Sequence, residues 1–66
     1  MKFTIIRTEE SDGNWFKVRA DEWTKACFRF DKETETSKYV DALLFYEKLV
    51  KEYQTTKTLI IKSEKI

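Results

Sequence analysis

Residues 14–30, NWFKVRADEWTKACFRF, set an apolar or aromatic side chain beside a basic one along almost their whole length. Two strands joined by a turn account for the pattern, because successive side chains of a strand point to opposite faces. Over Asn14 to Ala20, Phe16, Val18 and Ala20 share one face, and Trp15, Lys17 and Arg19 share the other. Asp21-Glu22-Trp23-Thr24 reads as the turn. Over Lys25 to Phe30 the alternation resumes, with Ala26, Phe28 and Phe30 against Cys27 and Arg29. An odd-length connection puts Phe16 and Val18 on the face of Phe28 and Phe30, the pairing that burial selects.

Upstream, Phe3 to Thr8 (FTIIRT) is β-branched and aromatic and suits a strand. It ends before Glu9-Glu10-Ser11-Asp12-Gly13-Asn14, where the only glycine supplies the positive φ that tight hairpins need. Two registers stay open. A three-residue Ser11-Asp12-Gly13 loop sets Ile6 opposite Val18 and sends Phe3 and Ile5 to the face of Trp15. A two-residue Asp12-Gly13 turn sends Phe3 and Ile5 inward and Ile6 out. Either way, a large apolar residue accompanies Trp15.

Downstream, the period changes to helical from about Glu35 to Gln54. Tyr39, Ala42, Leu43, Tyr46, Leu49, Val50 and Tyr53 gather on one side. Thr34 or Thr36 can cap the start, Glu33 and Glu35 suit the positive end of the dipole, and Glu47 and Lys51 form an i,i+4 pair. Lys57 to Lys62 (KTLIIK) reads as a fourth strand with Ile60 opposing Leu59 and Ile61. The expected fold is therefore one α+β domain over residues 1–66, ordered β-β-β-α-β. One helix packs on one face of a mixed four-stranded sheet, and the last strand runs parallel to the first, which gives the order 3-2-1-4, or else to the third.

A chain of 66 residues lies near the lower size limit for a self-sufficient core. Cys27 is the only cysteine and histidine is absent, so disulfides and metal are poor supplements and self-association is the expected one. Thirteen basic and twelve acidic residues give +1, which supplies no overall field toward a polyanion. The first 31 residues carry six basic and six acidic groups and the rest seven and six, so any electrostatic function must come from sorting charge between faces. There is no charged leader with an apolar stretch and cleavage site, and no apolar run near the ~20 residues of a membrane span. A single thiol fits a reducing compartment. The reading is a soluble cytoplasmic protein without membrane contact.

Because one helix covers one sheet face, the other is expected open, carrying Trp15, Lys17, Arg19, Cys27 and Arg29. Rings beside cations are how single-stranded nucleic acid is held, yet Trp15 is the only clearly outward aromatic, and plain strand alternation explains the same residues. On the helix, Val40 and Leu44 lie off the inward stripe on one flank and Phe45 on the other. Together with sheet residues they imply an apolar patch of the kind that marks a homodimer or protein contact. Trp23 reads as folding back over the sheet edge, with an anchor in a partner pocket as the competing role. The stripe of Tyr39, Tyr46 and Tyr53 packs inward with hydroxyls at the rim, or else lines a small-ligand pocket.

Catalysis finds little footing. Without histidine, a base near neutral pH needs a strongly shifted carboxylate, lysine or cysteine, and Cys27 sits mid-strand with nothing to activate it. Glu9, Glu10 and Asp12 lack calcium-loop spacing, and no phosphate loop or dinucleotide fingerprint occurs. No enzyme, cofactor or metal is expected. The expected function is binding: a protein interaction module or inhibitor that self-associates or meets an unknown protein through Trp15, Lys17, Arg19 and Arg29 or through Val40, Leu44 and Phe45. Very short, proline-free, lysine- and glutamate-rich chains of this kind are common among phage-encoded inhibitors of host proteins and host defences, a likeness of class only. The competing readings are a single-stranded nucleic-acid-binding sheet, and capture of a nucleotide by arginines gathered in an oligomer.

Overall fold

The helix of this chain is too narrow for its sheet, and that mismatch organises the molecule. A computed structural model describes residues 1–65. Strands β1 (Phe3–Glu10), β2 (Gly13–Ala20) and β3 (Trp23–Phe30) form an antiparallel meander, helix α1 (Glu35–Tyr53) returns along it, and β4 (Leu59–Lys65) pairs parallel to β1. The sheet order is β3-β2-β1-β4. The expected order of elements, the single helix and the mixed sheet are all present.

The first hairpin takes the inward register for Phe3 and Ile5 by a turn neither reading placed. Glu10 pairs with Gly13, so Ser11 and Asp12 are the two turn residues, and Phe3, Ile5 and Arg7 oppose Ala20, Val18 and Phe16. Gly13 opens β2 with φ +136°, a conformation that side-chain-bearing residues rarely adopt. Phe3, Ile5 and Val18 are fully buried, each contributing about 1.5–3 kcal/mol of transfer free energy.

The second hairpin corrects its own parity. Asp21 and Glu22 form a two-residue turn that pairs Ala20 with Trp23, and β3 accordingly starts two residues before the expected Lys25. Continued unbroken, that register would put Lys25 opposite Val18. A bulge places Thr24 and Lys25 together opposite Arg19, so that Ala26 meets Val18 and Phe28 meets Phe16. The odd offset that burial demands is therefore made by an even turn plus one extra residue. Asp21 takes the left-handed conformation, φ 54°, fixed by its amide donating to the Lys2 carbonyl at 2.7 Å and its carboxylate accepting the Lys2 amide at 2.9 Å.

The four residues 31–34 join β3 to α1 and hold the helix start close to the end of β3. Asp31 ties this loop, accepting the amides of Glu33 and Thr34 at 2.9 Å and the Thr34 hydroxyl at 3.1 Å. Thr34 is the N-cap residue by position, but its hydroxyl accepts the Asp31 amide and makes no cap bond. Gln54 ends the helix in the left-handed conformation, its amide reaching back to the Lys51 carbonyl. Glu47 pairs with Lys57 at 2.9 Å, which tethers the link into β4.

The helix packs on β3 and β2 and touches β1; its backbone does not approach β4 among the described residues, although Leu59 at the start of β4 packs against the core. A helix is about 10 Å wide and strands are spaced about 4.8 Å apart, so one helix roofs two strands of four. The core lies under it. Phe16 stacks on Phe30 with centroids 4.4 Å apart, Phe3 meets Tyr46 edge-on at 5.9 Å, and Tyr39 leans on Phe16 at 5.4 Å. The rings of Tyr39 and Tyr46 point inward as expected, whereas Tyr53, though 6.1 Å from the Phe3 ring, stays 42 % exposed. No buried side-chain nitrogen or oxygen lacks a partner among the described residues.

Candidate binding surfaces

The open face is built by the pleat. On it lie Thr4, Ile6, Thr8 and Glu10 of β1, flanked on one side by Arg19, Lys17 and Trp15 of β2 and on the other by Ile60, Lys62 and Glu64 of β4. Thr24, Cys27 and Arg29 of β3 complete the rows. The four residues expected here are brought together: Trp15 stands directly opposite Arg29, with Lys17 and Arg19 following along β2.

Their neighbours hold them in place. The Arg29 guanidinium lies 5.9 Å from the Trp15 ring centroid, within cation–π range, and the Trp15 indole N–H donates to Asp12 Oδ1 at 3.3 Å. Lys17 Nζ sits 3.2 Å from Glu10 Oε2, and Arg19 Nε donates to the Thr24 hydroxyl at 3.3 Å. Lys17 stands opposite Ile6 while Glu10 lies two places beyond Thr8, so their ion pair passes over Thr8. This explains a surface that sequence reasoning missed. With no helix above them, Thr4, Ile6 and Thr8 are nonetheless buried, roofed by the stems of longer neighbours. The apolar companion expected beside Trp15 is therefore not exposed: Ile6 keeps only 3 % of its surface.

The outer helix residues divide. Val40 and Leu44 stay exposed, at 47 % and 63 %. Phe45 instead packs edge-on against Phe28, centroids 6.2 Å apart, at the rim of the core. Ile61 is 55 % exposed because it faces the helix side of β4, which the helix does not reach. Trp23 is 74 % exposed at the start of β3 and does not fold back over the sheet. Between α1 and β4 the uncovered strip forms a groove of about 290 Å³ walled by Tyr39, Thr36 and Ile61. Its polar end is Arg7, which donates to Glu35 at 2.6 Å, bonds Glu9 at 3.3 Å and lies 5.2 Å from the Phe30 ring. The Glu35 bond pushes the Arg7 pKa above its ordinary value, opposed by desolvation.

A second cavity, of about 620 Å³, lies where β2 begins and β3 ends. Arg29, Lys32 and Lys38 line it, with Asn14, Thr34 and the Phe30 edge. Sequence reasoning did not find it, since Lys32 and Lys38 reach Arg29 only through the turn at 31–34. The signal was available in FRFDKETETSK (28–38), three cations around one tight connection.

The acidic residues around Gly13 all have work within the fold: Glu9 bonds Arg7, Glu10 bonds Lys17, and Asp12 bonds Trp15. No group of three or more residues able to hold a metal ion occurs among the described residues, and no helix there is long and apolar enough to cross a membrane. Cys27 is free and exposed on the open face opposite Lys17. No protein-family model, curated protein or solved structure matches this chain.

Proposed function

We propose that this chain is a small non-enzymatic binding protein, a protein interaction module or inhibitor, whose open sheet face docks on a protein partner. The supporting observation is the set Trp15, Lys17, Arg19 and Arg29, standing in adjacent rows on a face with no helix over it, three of them held by a hydrogen bond or ion pair and the fourth, Arg29, set against the Trp15 ring. Side chains already fixed lose little rotamer freedom on binding. Tryptophan and arginine are the residues that most often dominate interface energy.

Charge favours a protein over a polynucleotide. Glu10, Asp12 and Glu64 stand among the cations of this face, and the whole chain carries +1. A mixed surface of this kind complements another mixed surface, and electrostatics then fixes register rather than bulk attraction. Single-stranded nucleic acid is the second reading, favoured by one observation, the Arg29–Trp15 pair, which presents a ring and a cation side by side.

Affinity capture with the wild-type chain, the Trp15→Ala/Arg19→Glu variant and the Leu44→Glu variant as baits tests the proposal. The captured protein is then purified and titrated. The open-face variant should bind at least about tenfold more weakly, with Leu44→Glu unchanged. Loss in Leu44→Glu with retention in the open-face variant would move the site to the helix flank. Tight binding of a single-stranded oligonucleotide that weakens steeply with salt would favour the second reading instead.

A further inference from the structure

We infer that the cavity between the start of β2 and the turn at 31–34 is a binding site for a small phosphate-bearing ligand, held by Arg29, Lys32 and Lys38. The three cations come from three segments, β3, the connecting turn and α1, and line one concavity of about 620 Å³. That volume falls within the range of small-molecule sites. The site shares Arg29 with the open face, but Lys32 and Lys38 lie outside that face, and the inference does not rest on a protein partner docking there.

Charge within the cavity is lopsided in a nearly neutral chain. Asp31 is the one carboxylate in the lining, and it is turned onto its own loop, accepting two amides and a hydroxyl. Arg29 and Lys32 have no carboxylate within 4.0 Å among the described residues. Lys38 approaches Asp41, a residue outside the cavity lining, at 3.7 Å. Three cations against one internally bonded carboxylate leave a concave surface that an anion with two or more charges would complement. Arginine offers a planar fork and lysine a point charge, the pair of donors that suits phosphate oxygens. Asn14 and Thr34 add neutral polar groups at the wall, and the Phe30 edge supplies an apolar floor.

Gly13 is shaped to this arrangement. A Cβ there would come within 3.0 Å of Arg29 Nε and 3.2 Å of its Nη2. The missing side chain gives the guanidinium room to lie across the rim, where it also borders Trp15. A ligand that draws the guanidinium inward would therefore change the surroundings of the indole.

Calorimetric titration of the intact protein with inorganic pyrophosphate and with ADP at physiological salt tests the site. The Trp23→Phe variant gives a parallel emission readout from Trp15 alone. The expected result is one ligand per chain, with a change in Trp15 emission that follows the heat. Lys32→Gln and Lys38→Gln, which the fold should tolerate, are each expected to weaken binding about tenfold, while Lys17→Gln on the open face leaves it unchanged. Absence of binding at millimolar ligand would overturn the proposal. So would equal weakening by Lys17→Gln, which would mean diffuse charge attraction, or binding that leaves Trp15 emission unaltered, which would place the ligand away from Arg29.

Discussion

β1 and β4 lie side by side, run in the same direction and carry nearly the same residues, Ile5-Ile6-Arg7 against Ile60-Ile61-Lys62. Their burial is opposite. Ile5 is fully buried and Ile6 keeps 3 % of its surface, whereas Ile61, paired directly with Ile5, is 55 % exposed. β1 has a strand on each side and helix above, and long side chains roof its far face. β4 has one neighbour and no helix over it. Position in the sheet, not the apolarity of the strand, decides what is core and what is left available for binding.

The largest test of that contrast is a matched pair of truncations. Ile5→Ala should cost about 2–5 kcal/mol, enough to unfold much of a 66-residue chain, while Ile61→Ala should change stability by about 0.5 kcal/mol or less. Urea midpoints of the two variants decide it, and similar costs would mean that β4 is covered after all.

Gly13→Ala sharpens the contrast at the hairpin, where β1 gains its second neighbour. Positive φ and the approach to Arg29 should together cost about 1–2 kcal/mol. Adding Arg29→Ala should restore the steric part and leave the backbone part, read as two separate shifts in melting temperature.

The tight turn that keeps α1 over β3 and away from β4 depends on Asp31. The Thr34 amide, then the Thr34 hydroxyl, hold its carboxyl below the ordinary 3.8, against desolvation and aided by the Glu33 amide. A depressed value means that the folded state favours the ionised form. Its contribution is therefore complete above about pH 4 and drains as pH falls through the folded value. Melting curves in acid should be flatter for Asp31→Asn than for wild type below that pH, and parallel curves would contradict the role.

The smallest effect is expected on the helix flank. Leu44→Lys should alter stability by no more than about 0.5 kcal/mol, equally at low and high protein concentration. A larger, concentration-dependent cost would show that a second copy buries the flank.

Much of this molecule is legible in the order of its residues. The alternation of Phe16, Val18, Phe28 and Phe30, and the change to helical period after Phe30, give the element order and the inward faces of β2 and β3, while the inward face of β1 and the neighbour of β4 stay open between two arrangements each. The features that escaped depend on neighbours rather than on local pattern. The turn at Ser11-Asp12 and the bulge at Thr24-Lys25 are chosen by the need to face Ile5, Val18 and Ala26 inward, which no local propensity states. Ile6 and Thr8 are buried by Lys17, Glu10 and Trp15 arriving from elsewhere. Of the candidate site, the four open-face residues follow from strand parity, whereas the meeting of Lys32 and Lys38 with Arg29 needs the path of the turn, and the exposure of Ile61 needs the offset of the helix.

Residue-resolved amide hydrogen exchange of the free protein measures the difference between β1 and β4 most directly. The β1 amides that bond to β2 should exchange only through global unfolding, and the amides among Ile61 to Glu64 that bond to β1 on the order of a hundredfold faster through local opening at the sheet edge. Protection of β4 equal to that of β1 would contradict the uncovered edge and, with it, the separation of core from binding surface.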